Sequence, residues 1–222
     1  GWRIVRIAVH PSAMGRGLGS RLLKELEKEA LDRGYDWVGA GFGVTEELLN
    51  FWIKNGYMPV HISPDRNPVS GEYSVIVVKP LTEKASKLIE IANREFRTRL
   101  LHSLHEPYHD LNPKVARLLL NSGKECIPED VDAKFTPVQI SKLLGYSWNL
   151  MTIENCFDSV LKIVRKYFAD KSGNRPDLSE EEEVRYLQGY WLRFNENWKT
   201  TGNSSNSSRK VSKVINSHLD KP

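Results

Sequence analysis

The sequence predicts an α/β unit over residues 1–81 followed by an all-helical unit over residues 82–222. Three observations carry this expectation. Strand-like apolar runs and leucine-rich stretches with helical spacing alternate as far as Pro80. Beyond Pro80 only helical spacing recurs. Between the first strand-like run and the first helix-like run lies PSAMGRGLGS, residues 11–20, with three glycines at alternate positions.

Arg3 to His10 reads as a strand buried on at least one face. Leu18, Leu22, Leu23, Leu26 and Ala30 recur at helical spacing, and Gly34 stands where such a helix stops. Tyr35 to Phe42 is a second short strand. Thr45 followed by Glu46 and Glu47 is a helix start, its acids placed at the positive end of the dipole. Leu48, Leu49 and Trp52 form the buried stripe of that helix, and Asn55-Gly56 ends it. Tyr57 to Ile62 and Tyr73 to Lys79 are two further strands around the turn-rich SPDRNPVSGE. Then Leu88, Ala92, Phe96, Leu100 and Leu104 mark a long amphipathic helix, followed by helical stretches near 113–121, 137–145 and 152–168 and another from Glu180.

Composition sets bounds. With 222 residues and 40% apolar content, one good core and a smaller second one are affordable. No run of about 18 apolar residues occurs, so no membrane-spanning helix is expected. No charged-then-apolar leader opens the chain, and the expectation is a cytoplasmic protein. Cys126 and Cys156 read as reduced thiols, and two cysteines without matching histidine spacing give no metal pattern. The sequons in NSSNSS read as a polar loop. A net charge of +4 leans toward an anionic partner, RNA or a phosphorylated cofactor.

A strand, a glycine-rich turn and a helix start together make an anion site, because peptide N–H groups converge there and missing Cβ atoms let a phosphate approach. Three devices use this. A nucleotide P-loop needs a Gly-Lys-Ser/Thr ending, whereas Gly19-Ser20-Arg21 lacks the lysine. A dinucleotide fold wants G-x-G-x-x-G and an acid near the next strand's end, but the spacing is G-x-G-x-G and Gly39 to Gly43 offers no acid. The third is the Gln/Arg-x-x-Gly-x-Gly/Ala loop of GCN5-related N-acetyltransferases, which Met14-Gly15-Arg16-Gly17-Leu18-Gly19 resembles, with Met14 where glutamine or arginine is usual.

RIVRIAVHP beside MGRGLGSRLL, then GVTEELLNFWIKNGYMPVHIS and RNPVSGEYSVIVVKPL, resemble the RNA cytidine acetyltransferases, most closely the members that modify tRNA(Met). The similarity runs from Arg3 to Leu81 and more loosely through the helical remainder, and RNPVSGEYS is far more specific than the glycine turn. The resemblance implies the second half of an acetyltransferase sheet followed by a helical RNA-binding part. It implies acetyl-CoA as cofactor, and ATP or GTP for a helicase-like module that precedes this region in the family. On that frame the sequence opens at the fourth strand of the fold, and an exposed sheet edge is expected to favour a homo-oligomer.

The resemblance also distributes roles. Ile7, Ala8 and Val9 would lend main-chain groups to the pantetheine arm. Met14, Gly15, Arg16, Gly17, Leu18, Gly19 and Ser20 would wrap the pyrophosphate, and Glu47 and Lys54 fall at cofactor-contact positions. Trp52 stands where many acetyltransferases of this fold place a tyrosine that protonates the departing thiolate, which tryptophan cannot do. Acyl transfer to cytidine N4 needs a proton acceptor, for which His10, His61 and Glu72 are candidates. Reaching N4 requires an unpaired or flipped base.

In the helical part, Arg94, Arg97 and Arg99, with Lys84 and Lys87, are expected to form a phosphate-facing stripe. Arg209, Lys210 and Lys213, beside Trp191 and Trp198, read as a second basic element on a helix-turn-helix rhythm. Three function classes stay open from sequence: an acetyl-CoA-dependent RNA cytidine acetyltransferase, an acetyltransferase acting on protein or small amines, and a non-catalytic RNA-binding module with a vestigial cofactor loop.

Overall fold

The computed structural model describes residues 1–124, 135–171 and 175–190. The chain divides into two compact units, Gly1–Arg97 and Thr98–Pro222.

The first unit is a four-stranded mixed sheet with helices. Its elements are β1 (Trp2–Ile4), a 3₁₀ turn (Pro11–Ala13), α1 (Leu18–Asp32), β2 (Trp37–Gly43), α2 (Glu46–Lys54), β3 (Met58–Arg66) and β4 (Tyr73–Pro80). The spatial order is β1-β2-β4-β3. β1 runs parallel to β2, and β4 is inserted antiparallel between β2 and β3. A parallel pair needs a crossover, which α1 supplies between β1 and β2.

One face of β2 carries Val38 and Ala40, both buried, and the neighbouring Val75 and Val77 of β4 are fully buried. Leu23 and Ala30 of α1 and Leu49 and Trp52 of α2 complete this core. Trp52 stacks on Phe42 at 5.7 Å and meets Phe51 and Tyr57 edge-on. Tryptophan at this position is thus explained by packing. Lys79 of β4 reaches Glu27 of α1 at 2.7 Å, tying helix to sheet.

The first strand differs from its expected length. Arg3 to His10 has the mixed alternating and continuous apolar character of a strand, yet only Trp2–Ile4 pairs, in register Trp2↔Val38, Arg3↔Gly39 and Ile4↔Ala40. From Val5 the backbone leaves the sheet while β2 continues to Gly43, paired on its other side with β4. Alternation reports which face a residue prefers, and it does not require a hydrogen-bonded neighbour.

The long helix α3 (Glu83–Ser103) begins in the first unit. Asn93 Nδ2 donates to Pro59 O at 2.8 Å, covering a carbonyl of the outer strand β3. The sequence sets the boundary at 81/82, whereas the first compact unit runs to Arg97, and this contact ties α3 to that unit's outer strand.

The second unit contains α4 (Pro113–Leu120), α5 (Pro137–Ser147), a 3₁₀ turn (Ile153–Asn155), α6 (Phe157–Ala169) and α7 (Glu180–Tyr190). Asn112 caps α4, and Thr136 with Gln139 makes a capping box on α5. The centre of this unit is Glu183, whose side chain is 3% exposed. It accepts from Arg117 Nε at 2.6 Å, Tyr167 Oη at 2.8 Å, Asn121 Nδ2 at 3.1 Å and Arg175 Nη2 at 3.3 Å. A buried carboxylate is tolerable only with partners of this kind. Cys156 is a buried free thiol, and Cys126 lies outside the described residues. Among the described residues no helix is long and apolar enough to cross a membrane.

Candidate functional site

The site is built where β1 and β2 part. Beyond Ile4, residues Val5–Val9 run unpaired, and the peptide groups of Ile7, Ala8 and Val9 make no hydrogen bond among the described residues. The facing edge of β2 at Gly41–Gly43 has no β1 partner either. Two backbones that diverge in this way leave a cleft lined by unused donors and acceptors, which an extended ligand can join as a strand would.

At the mouth of the cleft the chain turns through Pro11–Ala13 into the glycine segment. Gly15 and Gly17 both take φ +75°, the left-handed region that side chains resist. A Cβ on either would meet nothing within 4 Å, so this surface is open. Gly17 is also the N-cap of α1 and supplies no side-chain hydrogen bond. The amides of Leu18, Gly19 and Ser20 therefore emerge from the positive end of α1 without an internal partner. Gly19 is small for a different reason: a Cβ there would stand 3.2 Å from the Phe51 ring of α2. Met14, 62% exposed, and Arg16 flank the turn without covering it. The turn is open, and among the described residues the amides of Gly15 to Ser20 donate to no backbone group, as an anion cradle requires; the amide of Met14, expected in the wrap, is instead committed to Pro11 O at 3.2 Å.

Of the candidate proton acceptors, the structure brings two to one face. Gly41 of β2 pairs with Ile76 of β4, which pairs with His61 of β3, so the three share a face. Gly43 lies on the same face two residues on, and the Glu72 carboxylate rests over it. Glu72 and His61 thus face the same side of the sheet, with Glu72 at the end where the strands part. His10 is occupied differently. Its Nδ1 accepts from Ser12 N at 3.3 Å and lies 2.8 Å from Ser12 Oγ, so it caps the Pro11–Ala13 turn.

Glu47 and Lys54 sit in the first and last turns of α2, both exposed. Thr45 caps that helix by accepting from Leu48 N. Trp52 is 3% exposed and does not reach solvent. The nearby Tyr57 is no substitute donor: it is 1% exposed, and its pKa is raised by burial and by Glu27 beside it.

The basic stripe on α3 is corrected at one residue. Arg97 is 1% exposed and donates from Nε to Asn93 Oδ1 at 2.9 Å. It belongs to the series 93, 97, 100 and 104, the buried face of the helix. Arg97 and Arg99 are separated by about 200° around the helix axis, so they cannot serve one phosphate-facing stripe. Arg99 is exposed and Arg94 half-buried. Lys87 pairs with Glu83 at 3.0 Å, and Lys84 is exposed. Arg209, Lys210, Lys213, Trp191 and Trp198 lie outside the described residues.

Sequence reasoning missed the row of small residues Gly39, Gly41 and Gly43 on the face of Glu72 and His61. Its signal was present, as glycine at alternate positions of a strand marks close approach.

Residues 22–82 match the family model GNAT acetyltransferase 2, beginning just after the glycine turn. The chain carries a GNAT acetyltransferase fold. It is 55% identical over 184 residues to the tRNA(Met) cytidine acetyltransferase TmcA of Thermofilum pendens, covering 83% of this chain and 22% of that protein. It is 50% identical to the Methanopyrus kandleri protein of the same name (83% and 21%), and 43% identical over 206 residues to that of Pyrococcus furiosus (90% and 24%). The chain is thus similar to proteins named tRNA(Met) cytidine acetyltransferase, and it spans 22% of the length of the first of them.

Proposed function

We propose that this chain supplies the cofactor-binding and acyl-transfer centre of an enzyme that acetylates N4 of a cytidine in tRNA(Met), at the anticodon wobble position. The observation that carries the reading is the open, uncapped glycine turn at the point where β1 and β2 part. The cradle fits acetyl-CoA. Amides from Gly15 to Ser20 would hold its pyrophosphate, and the main chain of Ile7, Ala8 and Val9 would take the pantetheine arm as an added strand. Glu47 and Lys54 would flank it. Bound there, acetyl-CoA supplies an activated acyl group as a thioester.

The remaining work falls to residues of this chain. Cytidine N4 is uncharged at neutral pH, so no ammonium proton has to be stripped before attack. Peptide N–H groups at Ala8 and Val9 can donate to an oxygen that gains negative charge. Glu72, over Gly43, accepts the proton that N4 loses, and His61 on the same face is the second candidate. His10 serves the turn. On α3, the exposed Arg99 is the candidate to meet phosphate, whereas Arg94 is half-buried and lies about 140° away around the helix axis. The reading implies a cytoplasmic setting. β1 is an outer strand, and sedimentation at high concentration tests pairing of two copies through it. ATP or GTP is assigned to no residue of this chain.

Incubation with labelled acetyl-CoA and tRNA(Met), followed by nucleoside analysis, tests the reading. N4-acetylcytidine supports it. Label on protein or polyamine points to an amine acetyltransferase, and tRNA binding without transfer to a non-catalytic module.

A further inference from the structure

The motif RNPVSGEYS, residues 66–74, forms the turn between β3 and β4, and the chemistry above uses only its Glu72. The turn is fastened from within. Asn67 Oδ1 accepts from Val69 N at 2.8 Å and from Ser70 N at 3.2 Å. Gly71 N donates to Asn67 O at 2.8 Å, and Asn67 N donates to Glu72 O at 2.8 Å. Arg66 Nη1 donates to Gly71 O at 2.6 Å while its guanidinium lies 4.6 Å over the Tyr73 ring. Gly71 takes φ +72°, which suits glycine, and Pro68 restricts its own backbone.

At the tip of this braced turn Val69 is 95% exposed. A loose loop would fold an isopropyl group toward the protein, but here the fixed amides hold it out in water at a hydrophobic cost. The tip also stands at a chosen place. Arg66 is in register with Tyr73, and Gly43 with Ser74, so the turn lies at the end of the sheet where β1 and β2 part.

We propose that Val69 is an apolar wedge that enters the base stack beside the target cytidine and keeps that nucleotide extruded; this rests on the reading that the substrate is a cytidine in RNA. An exocyclic amine cannot meet a group sunk in a cleft while its base is stacked, so the nucleotide must leave the stack. Apolar side chains pushed between bases hold such openings. A β-branched side chain suits the task because it has few rotamers to lose. The bracing suits it too, because a preformed loop gives up little freedom on insertion.

The test is an RNA hairpin carrying 2-aminopurine next to the loop cytidine, titrated with this chain while fluorescence reports unstacking. Wild type raises the fluorescence. Val69→Ser loses most of the rise with hairpin affinity retained, and Val69→Ile keeps it. Asn67→Ala, which frees the tip, also lowers the rise, whereas Asn67→Asp, which still accepts both amides, does not. Acetyl transfer to the hairpin falls roughly tenfold in Val69→Ser, a part of the unstacking cost. A wild-type rise in Val69→Ser, with acetylcytidine still made by wild type, overturns the wedge alone. A wild-type chain that neither binds the hairpin nor acetylates it overturns the wedge together with the reading beneath it.

Discussion

The carboxylate of Glu72 lies over Gly43 so closely that a methyl group at position 43 would fall on its Oε2. The pair joins the turn before β4 to the last residue of β2. Gly43 does not take a left-handed φ, so alanine fits its backbone and disturbs chiefly the carboxylate. Gly43→Ala is expected to lower the rate of acetyl transfer about 100-fold, the usual worth of a positioned base, with coenzyme A affinity intact. Glu72→Gln should match it. Wild-type turnover in both variants would remove Glu72 from the chemistry.

The glycine turn has an internal control. Gly17 and Gly34 bracket α1, both at left-handed φ (+75° and +78°) and both in open space. Alanine at either costs about 1 kcal/mol of stability through the backbone alone. Only Gly17→Ala is expected to weaken coenzyme A binding, by roughly tenfold, because only there does the proposed site set amides against the ligand. Calorimetry with coenzyme A on both variants decides this, and equal affinities would take the turn out of the site.

Arg97 and Arg99 are predicted to separate stability from RNA binding. Arg97→Met removes the hydrogen bond to Asn93 inside the core and is expected to cost about 2 kcal/mol in urea unfolding. It leaves tRNA affinity as it was. Arg99→Gln is expected to leave stability unchanged and to weaken tRNA binding, with a shallower salt dependence by about one phosphate contact. The reverse pattern would restore Arg97 to the RNA surface.

Glu183 organises the second unit through four donors. Glu183→Gln leaves Arg117 and Arg175 without their buried counter-charge. The expected loss is about 3 kcal/mol, read as faster amide exchange in α4, α6 and α7. Coenzyme A binding, proposed for the first unit, should not change.

Alkaline pH is expected to destabilise the fold. Burial raises the pKa of the Cys156 thiol and of Tyr57, Tyr167 and Tyr186, with Glu27, Glu183 and Glu182 respectively adding to the tyrosine shifts. In each case the neutral form is the one the fold keeps. The unfolded chain loses these protons first, so stability is full below the unfolded pKa values and declines as pH rises beyond them. Urea midpoints at pH 7 and pH 10.5 test the direction. Absorbance at 295 nm should show three of the eight tyrosines ionising only with unfolding. Iodoacetamide should label Cys156 slowly until the helical unit opens.

Much of the architecture was legible in the chain itself. The glycine turn before the first helix, the Thr45 helix start, the helical periods and the strand-like runs are local properties set by backbone sterics and side-chain spacing. Other features needed the tertiary structure. Arg3 to His10 has the alternating and continuous apolar character of a strand, but whether it pairs depends on where β2 goes, 36 residues further on. Arg97 reads as a surface cation until the face occupied by Asn93, Leu100 and Leu104 turns inward. Glu72 meets Gly43, and Glu183 gathers Arg117 from 66 residues away. Periodicity records how residues close in sequence share a face, whereas pairing, burial and charge compensation are contacts between distant segments, and those exist only once the chain has folded.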